Sequence, residues 1–231
     1  MLMSLLLSLG LGVGSIDFDT LSSARVTQIA KEVMVGMQAE LDSRPRILIA
    51  QRPEPTPLGA IQYADGQCVM LINQNKTAWA QWGRFLNAHN TAQWDAIIAA
   101  SVAHEMGHCL KESRLFAQPQ FSVLGKNPGG LSGMTGLSKS TEMVLKQELF
   151  ADTVAVIYAK ETWGEKADAV IQTILASREQ FSQDDPSHDT SQYLRAVLNE
   201  PLNRLPNETI GQTAQRVLSG VRYLARGKAL S

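Results

Sequence analysis

Two histidines stand four residues apart in "SVAHEMGHCL", residues 101–110, with a glutamate directly after the first, in a chain that has only four histidines. On a helix, residues four apart are neighbours on one face, so His104 and His108 can offer imidazole nitrogens to one ion. Glu105 is turned about 100° from His104 by helical geometry and can reach water beside that ion without ligating it. A metal that acidifies water, next to a carboxylate able to take its proton, is the machinery of metal-assisted hydrolysis. Five letters of this kind also arise by chance, and the histidines are then surface or helix-capping residues.

The surroundings weigh against chance. The approach to the motif, Ala96 to Ala103, is apolar, which turns the imidazoles toward a cleft. Gly107 lies between the two histidines, where it costs about 1 kcal/mol relative to alanine, and it predicts close approach of another element. Further along, Glu148 and Asp152 stand four apart in "KQELFADTVAVIYA", and Asp152 is the only charge between Leu149 and Tyr158. A carboxylate in such a sequence needs a cation or hydrogen-bond donors. A zinc ion for Glu148 and the outer nitrogen of a ligating histidine for Asp152 meet that need. Lys146 or a distant arginine is the alternative partner.

"HEMGH" followed by "ELFAD" resembles the paired motifs of gluzincin metallopeptidases, H-E-x-x-H on one helix and E-x-x-x-D on the next, as in thermolysin-like enzymes and in the HtpX and CAAX-prenyl-protease group. The alanine before Asp152 is similar to the latter group's form. The resemblance covers Val102 to Leu110 and Gln147 to Ala155. It implies one zinc ion held by His104, His108 and Glu148, with Glu105 as general base and Asp152 orienting His104. Membrane-spanning helices of the HtpX and CAAX-protease kind are absent from the sequence, so the likeness is to soluble, minimal members.

Members of that superfamily often steady the tetrahedral oxyanion with a histidine or tyrosine. "PSHDTSQYLR" resembles the His-Pro segment and following arginine of the HtpX-like group, which implies His188 as the donor and Arg195 as its companion. Asp189 replaces the proline and the arginine is displaced by one residue. An exposed loop histidine is the plainer reading of His188. Tyr158 and Tyr193 are further candidates, while His89 reads as a capping or surface residue.

These residues need elements to position them. Asp19 to Leu41 predicts a helix, with apolar residues at Val26, Ile29, Val33 and Met37. "RPRILIAQ" predicts a strand, and "GAIQYA" and "QCVMLIN", separated by Asp65-Gly66, predict a hairpin. Helical patterning runs from Trp94 to about Leu115, from Ser140 or Thr141 to about Ala159, from Glu165 to Phe181, and from Glu208 to Ala225. Strands early and helices late predict an α+β domain over residues 16–231: a small antiparallel sheet on a mainly helical, zincin-like domain, with the active-site helix beside an edge strand. In resembling enzymes such a strand pairs with substrate backbone, a role that "QCVMLIN" could fill unless it is a core strand. The glycine-rich region 118–139 is too long for a simple connector and reads as a lid, a plug or a disordered stretch.

The net charge of −1 lacks the basic excess that phosphate binding needs, so nucleic acid is not an expected partner; a peptide or protein substrate is. "MLMSLLLSLGLGVGS" is too short for a firm membrane span. It reads as the apolar core of a secretory signal peptide with Gly12, Gly14 and Ser15 near a cleavage point, although no basic residue precedes it; a docked apolar segment is the alternative. Export to a periplasmic or extracellular space is the expectation, with the cytoplasm left open. Cys68 and Cys109 suit either one bridge or two buried thiols. The sequons at Asn75 and Asn207 matter only in a eukaryotic secretory pathway.

The expected activity is zinc-dependent endopeptidase action, with water activated by Glu105. A silent, zinc-binding scaffold and a zinc amidase acting on cell-wall peptides are the alternatives, and the first of these has no need of Glu105.

Overall fold

The protein is described by a computed structural model over residues 23–41, 45–53, 56–62, 67–88, 94–117, 139–181 and 188–228. The N-terminal apolar segment, the Asp65-Gly66 turn, His89 and residues 118–138 lie outside the described residues. The architecture is α+β, a three-stranded sheet with helices. Helix α1 (Ser23–Met37) buries Val26, Ile29, Ala30, Val33, Met34 and Met37, the stripe that its apolar spacing dictates. Strands β1 (Arg46–Ala50), β2 (Leu58–Gln62) and β3 (Cys68–Asn73) follow.

The sheet is mixed, not antiparallel throughout, with strand order β1-β3-β2. β2 and β3 pair antiparallel, Leu58 opposite Ile72 and Gln62 opposite Cys68, as the hairpin signal predicts. β1 instead runs parallel to β3, Arg46 opposite Val69 and Ala50 opposite Asn73. "QCVMLIN" is therefore the centre of the sheet and has no free edge to offer a substrate. Its nearly unbroken apolar run already fits a strand buried on both faces.

Helix α2 (Lys76–Ala88) is an element that the apolar pattern does not predict. Asn75 starts it: its Oδ1 accepts the Thr77 backbone N–H at 3.0 Å while its Nδ2 donates to the Arg52 carbonyl at 3.0 Å. Helix α3 (Trp94–Cys109) is buried on almost every side and lies beside the edge strand β2. The predicted continuation to Leu115 is interrupted at Leu110, which turns inward and is buried before α4 (Lys111–Ala117) restarts.

Helix α5 (Lys139–Trp163) packs along α3 more extensively than any other pair of elements meets. It ends where Gly164 takes φ of 59°, a left-handed conformation that costs glycine little. Helices α6 (Asp168–Phe181), α7 (Ser191–Val197) and α8 (Ile210–Lys228) close the structure. Thr209 and Gln212 cap α8 reciprocally, each side chain accepting the other's backbone N–H. One apolar core joins α1, the sheet, α3, α5, α6, α7 and α8. Among the described residues, no helix is long and apolar enough to cross a membrane.

Candidate metal centre

α3 delivers His104 and His108 from its last turns, and α5 delivers Glu148 and Asp152 from its middle. Gly107 permits the meeting: a methyl group there would come within 2.9 Å of Ala151 Cα and 3.3 Å of Val154 Cβ. The close approach that its position predicts is thus an approach to α5, the helix that carries both carboxylates.

The Nε2 atoms of His104 and His108 lie 3.2 Å apart. Glu148 Oε1 is 3.3 Å from His108 Nε2, and Glu148 Oε2 is 3.5 Å from His104 Nε2. A tetrahedral ion with bonds of about 2.0–2.1 Å separates its ligand atoms by roughly 3.3–3.4 Å. The nitrogen–nitrogen edge is close to that figure and each imidazole faces a different oxygen of the Glu148 carboxylate, so His104, His108 and Glu148 form a group that could hold one metal ion. His104 and Glu148 are buried, while His108 keeps some exposure and marks the open side.

Asp152 is 1% exposed, yet it is fully partnered. His104 Nδ1 lies 2.8 Å from Asp152 Oδ1, which leaves Nε2 facing Glu148 and His108. Arg178 donates to the same carboxylate through Nε at 2.8 Å to Oδ2 and Nη2 at 2.7 Å to Oδ1. The Thr190 hydroxyl donates to Asp152 Oδ2. Both candidate partners, an imidazole and a distant arginine, are therefore present at once. Lys146 is spent elsewhere, 2.9 Å from Glu142.

These contacts set the protonation of the cluster. Burial and the charge of Arg178 both disfavour imidazolium at His104, but the hydrogen bonds to Asp152 and Glu148 outweigh them and raise its pKa to about 10. Burial alone would raise Glu148, yet the hydrogen bonds from His104 and His108 hold it far below the usual carboxylate range. For Asp152 burial is likewise overcome, chiefly by the Arg178 charge and then by His104, and its pKa falls to about 2. Both carboxylates are ionised, Glu148 as a candidate ligand and Asp152 as the partner of His104 and Arg178.

Glu105 is half-buried on the turn beside His104, close enough for its charge to act on Arg178. His188 sits just ahead of α7 with Nε2 3.6 Å from Glu148 Oε1, the oxygen that also faces His108. His188 is thus beside the candidate ligand set. Its expected companion is not: Arg195 is exposed and pairs with Glu179. Tyr158 packs edge-on against Trp163, and Tyr193 lies near Asp189.

Arg178 and Thr190 are the residues that motif reasoning misses. Helical phase carries a signal for the first, since Ile171, Leu175 and Arg178 fall on one face of α6 and the two apolar residues are buried. Thr190 precedes α7 in the N-cap position, yet its side chain does not cap the helix because the hydroxyl is committed to Asp152. Cys68 and Cys109 form a disulfide that ties the residue after His108 to the start of β3.

No protein-family model, curated protein or solved structure matches the chain.

Proposed function

We propose that the protein is a zinc-dependent endopeptidase of the gluzincin kind, with peptide or protein substrates. The observation that carries this reading is the convergence of His104 Nε2, His108 Nε2 and the Glu148 carboxylate on one point, with Glu105 directly after His104 in the sequence. Two nitrogens and one carboxylate oxygen are a donor set that suits zinc and keeps a coordination position open for reaction. Zinc bound there supplies Lewis acidity, polarising the scissile carbonyl and lowering the pKa of water to about 7.

The chain's own residues supply the rest. Glu105 takes a proton from the attacking water as the new C–O bond forms, then returns it to the leaving amine as the C–N bond breaks. Asp152 holds His104 with Nε2 toward the ligand set. His188, on the same side as His108, donates a hydrogen bond to the oxyanion. The strand available to pair with substrate backbone is β2, an edge strand beside α3. The buried Cys68–Cys109 bridge supports export to an oxidising compartment, periplasmic or extracellular.

The test is zinc content together with cleavage of casein or a peptide library by the wild type and Glu105→Gln. The reading expects stoichiometric zinc in both and cleavage in the wild type alone. Undiminished cleavage by the variant would overturn the role of Glu105. Stoichiometric zinc with no cleavage by the wild type would favour a zinc-binding scaffold.

A further inference from the structure

Arg178 has more to do than hold Asp152. Its guanidinium, from the last turn of α6, is anchored on Asp152 by Nε and Nη2. The same Nη2 lies 3.3 Å from Glu148 Oε2, and it stands 3.2 Å from His104 Nδ1 and 3.3 Å from His104 Nε2, so that it faces the imidazole ring and not the Nε2 lone pair. Glu148 is one of the groups assigned to the metal. On the other side of the set, His108 Nε2 and Glu148 Oε1 face each other at 3.3 Å. The guanidinium therefore flanks the ligand atoms on one side only, anchored by its second partner.

We infer that Arg178 is a resident counter-cation that contends with the metal ion for Glu148. The argument rests on the proposed metal site and extends it. Two ionised carboxylates, Glu148 and Asp152, are buried together, and breaking a buried ion pair by removing one partner is strongly destabilising. Arg178 compensates both with one guanidinium. A divalent ion at the three ligands brings a second, larger positive charge against Nη2, and the two cations repel across a poorly solvated space. Arginine and metal are thus negatively coupled: each weakens the hold of the other, and linkage makes the effect reciprocal. The fork on Asp152 lets the guanidinium give up its contact with Glu148 while keeping its anchor. The site is held together by the arginine in the absence of the ion and occupied at a reduced affinity in its presence.

The experiment uses the full chain, treated with a chelator and then titrated with zinc, for the wild type and Arg178→Gln. Thermal midpoints are read with and without zinc, and zinc affinity is read by competition with a chromophoric chelator. The expected result is a lower midpoint for the chelated variant, a larger zinc-induced rise, and zinc binding tighter by roughly tenfold, within the range of ordinary site-to-site coupling. A folded variant whose zinc-induced rise is equal or smaller, or whose zinc binding is weaker, overturns the inference and makes Arg178 a support for Asp152 alone. If Arg178→Gln does not fold even with zinc, Arg178→Lys carries the test: its ammonium keeps the charge but cannot span Asp152 and Glu148. Its zinc-induced rise should exceed that of the wild type, and no increase overturns the inference. A wild type that binds zinc while the variants show no coupling sinks this inference alone, whereas a wild type that takes up no zinc sinks the metal site with it.

Discussion

Gly107 and Ala151 are in contact across the two ligand-bearing helices, so close that a Cβ at position 107 would stand 2.9 Å from Ala151 Cα. Gly107→Ala sets two effects against each other. Alanine favours the helix by about 1 kcal/mol. The clash is with backbone, which no rotamer change relieves, and overpacking of this kind costs about 1–3 kcal/mol. A net loss of stability is expected in urea unfolding, with weaker zinc binding because α3 is pushed away from Glu148. A stabilised variant with unchanged zinc affinity would mean that the helices have slack at this point.

His188 stands beside the ligand set without belonging to it. On the proposed peptidase reading, His188→Gln is expected to retain full zinc stoichiometry while kcat drops by roughly 10²–10³, the usual effect of removing an oxyanion donor. KM should change little. Metal analysis and steady-state kinetics on one peptide substrate separate the two roles, since loss of zinc would make His188 a ligand instead.

The Cys68–Cys109 bridge closes a sequence separation of 41 residues, and loop closure of that size is worth about 4 kcal/mol on the chain-entropy scale. The double variant Cys68→Ser/Cys109→Ser should lose stability of that order in denaturant titrations. Thiol titration of the denatured, unreduced wild type should find no free thiol, and two reactive thiols would rule the bridge out.

Glu208 ties the segment before α8 to Arg216. Its pKa is lowered to about 2, chiefly by the Arg216 hydrogen bond; burial opposes this, and the Leu205 amide and Thr213 hydroxyl add to the lowering. An acid with a depressed folded pKa stabilises above its unfolded value, and that contribution is lost as the pH falls toward the folded value. Glu208→Gln should therefore be less stable than wild type near neutral pH, and the difference should shrink between about pH 4.5 and about pH 2. A difference that stays constant across that window would contradict the ion pair.

The ligand-bearing helices were legible because their signals are local. Four-residue spacing joins His104 to His108, and Asp152 is conspicuous in apolar sequence. Gly107 was legible for the same reason, as a poor helix former where the helix should be strongest. The Asp65-Gly66 turn likewise foretold that β2 and β3 pair antiparallel. The partner of β1 was not foretold, because parallel pairing with β3 skips the intervening strand and no turn encodes it. Arg178 escaped notice because nothing marks an arginine as buried except the phase of its helix. Arg195 attracted a role through its spacing from His188, but its helix turns it outward to Glu179.

The three donors on Asp152 come from α3, α6 and the residue before α7, whereas the candidate metal ligands come from α3 and α5 alone. An excised pair of helices would carry all three ligands and Asp152 but nothing from α6 or α7 to hold them. The placement of these groups is consequently a property of the completed tertiary structure: a chain truncated ahead of α6 retains the candidate coordinating atoms and loses the helices packed around them.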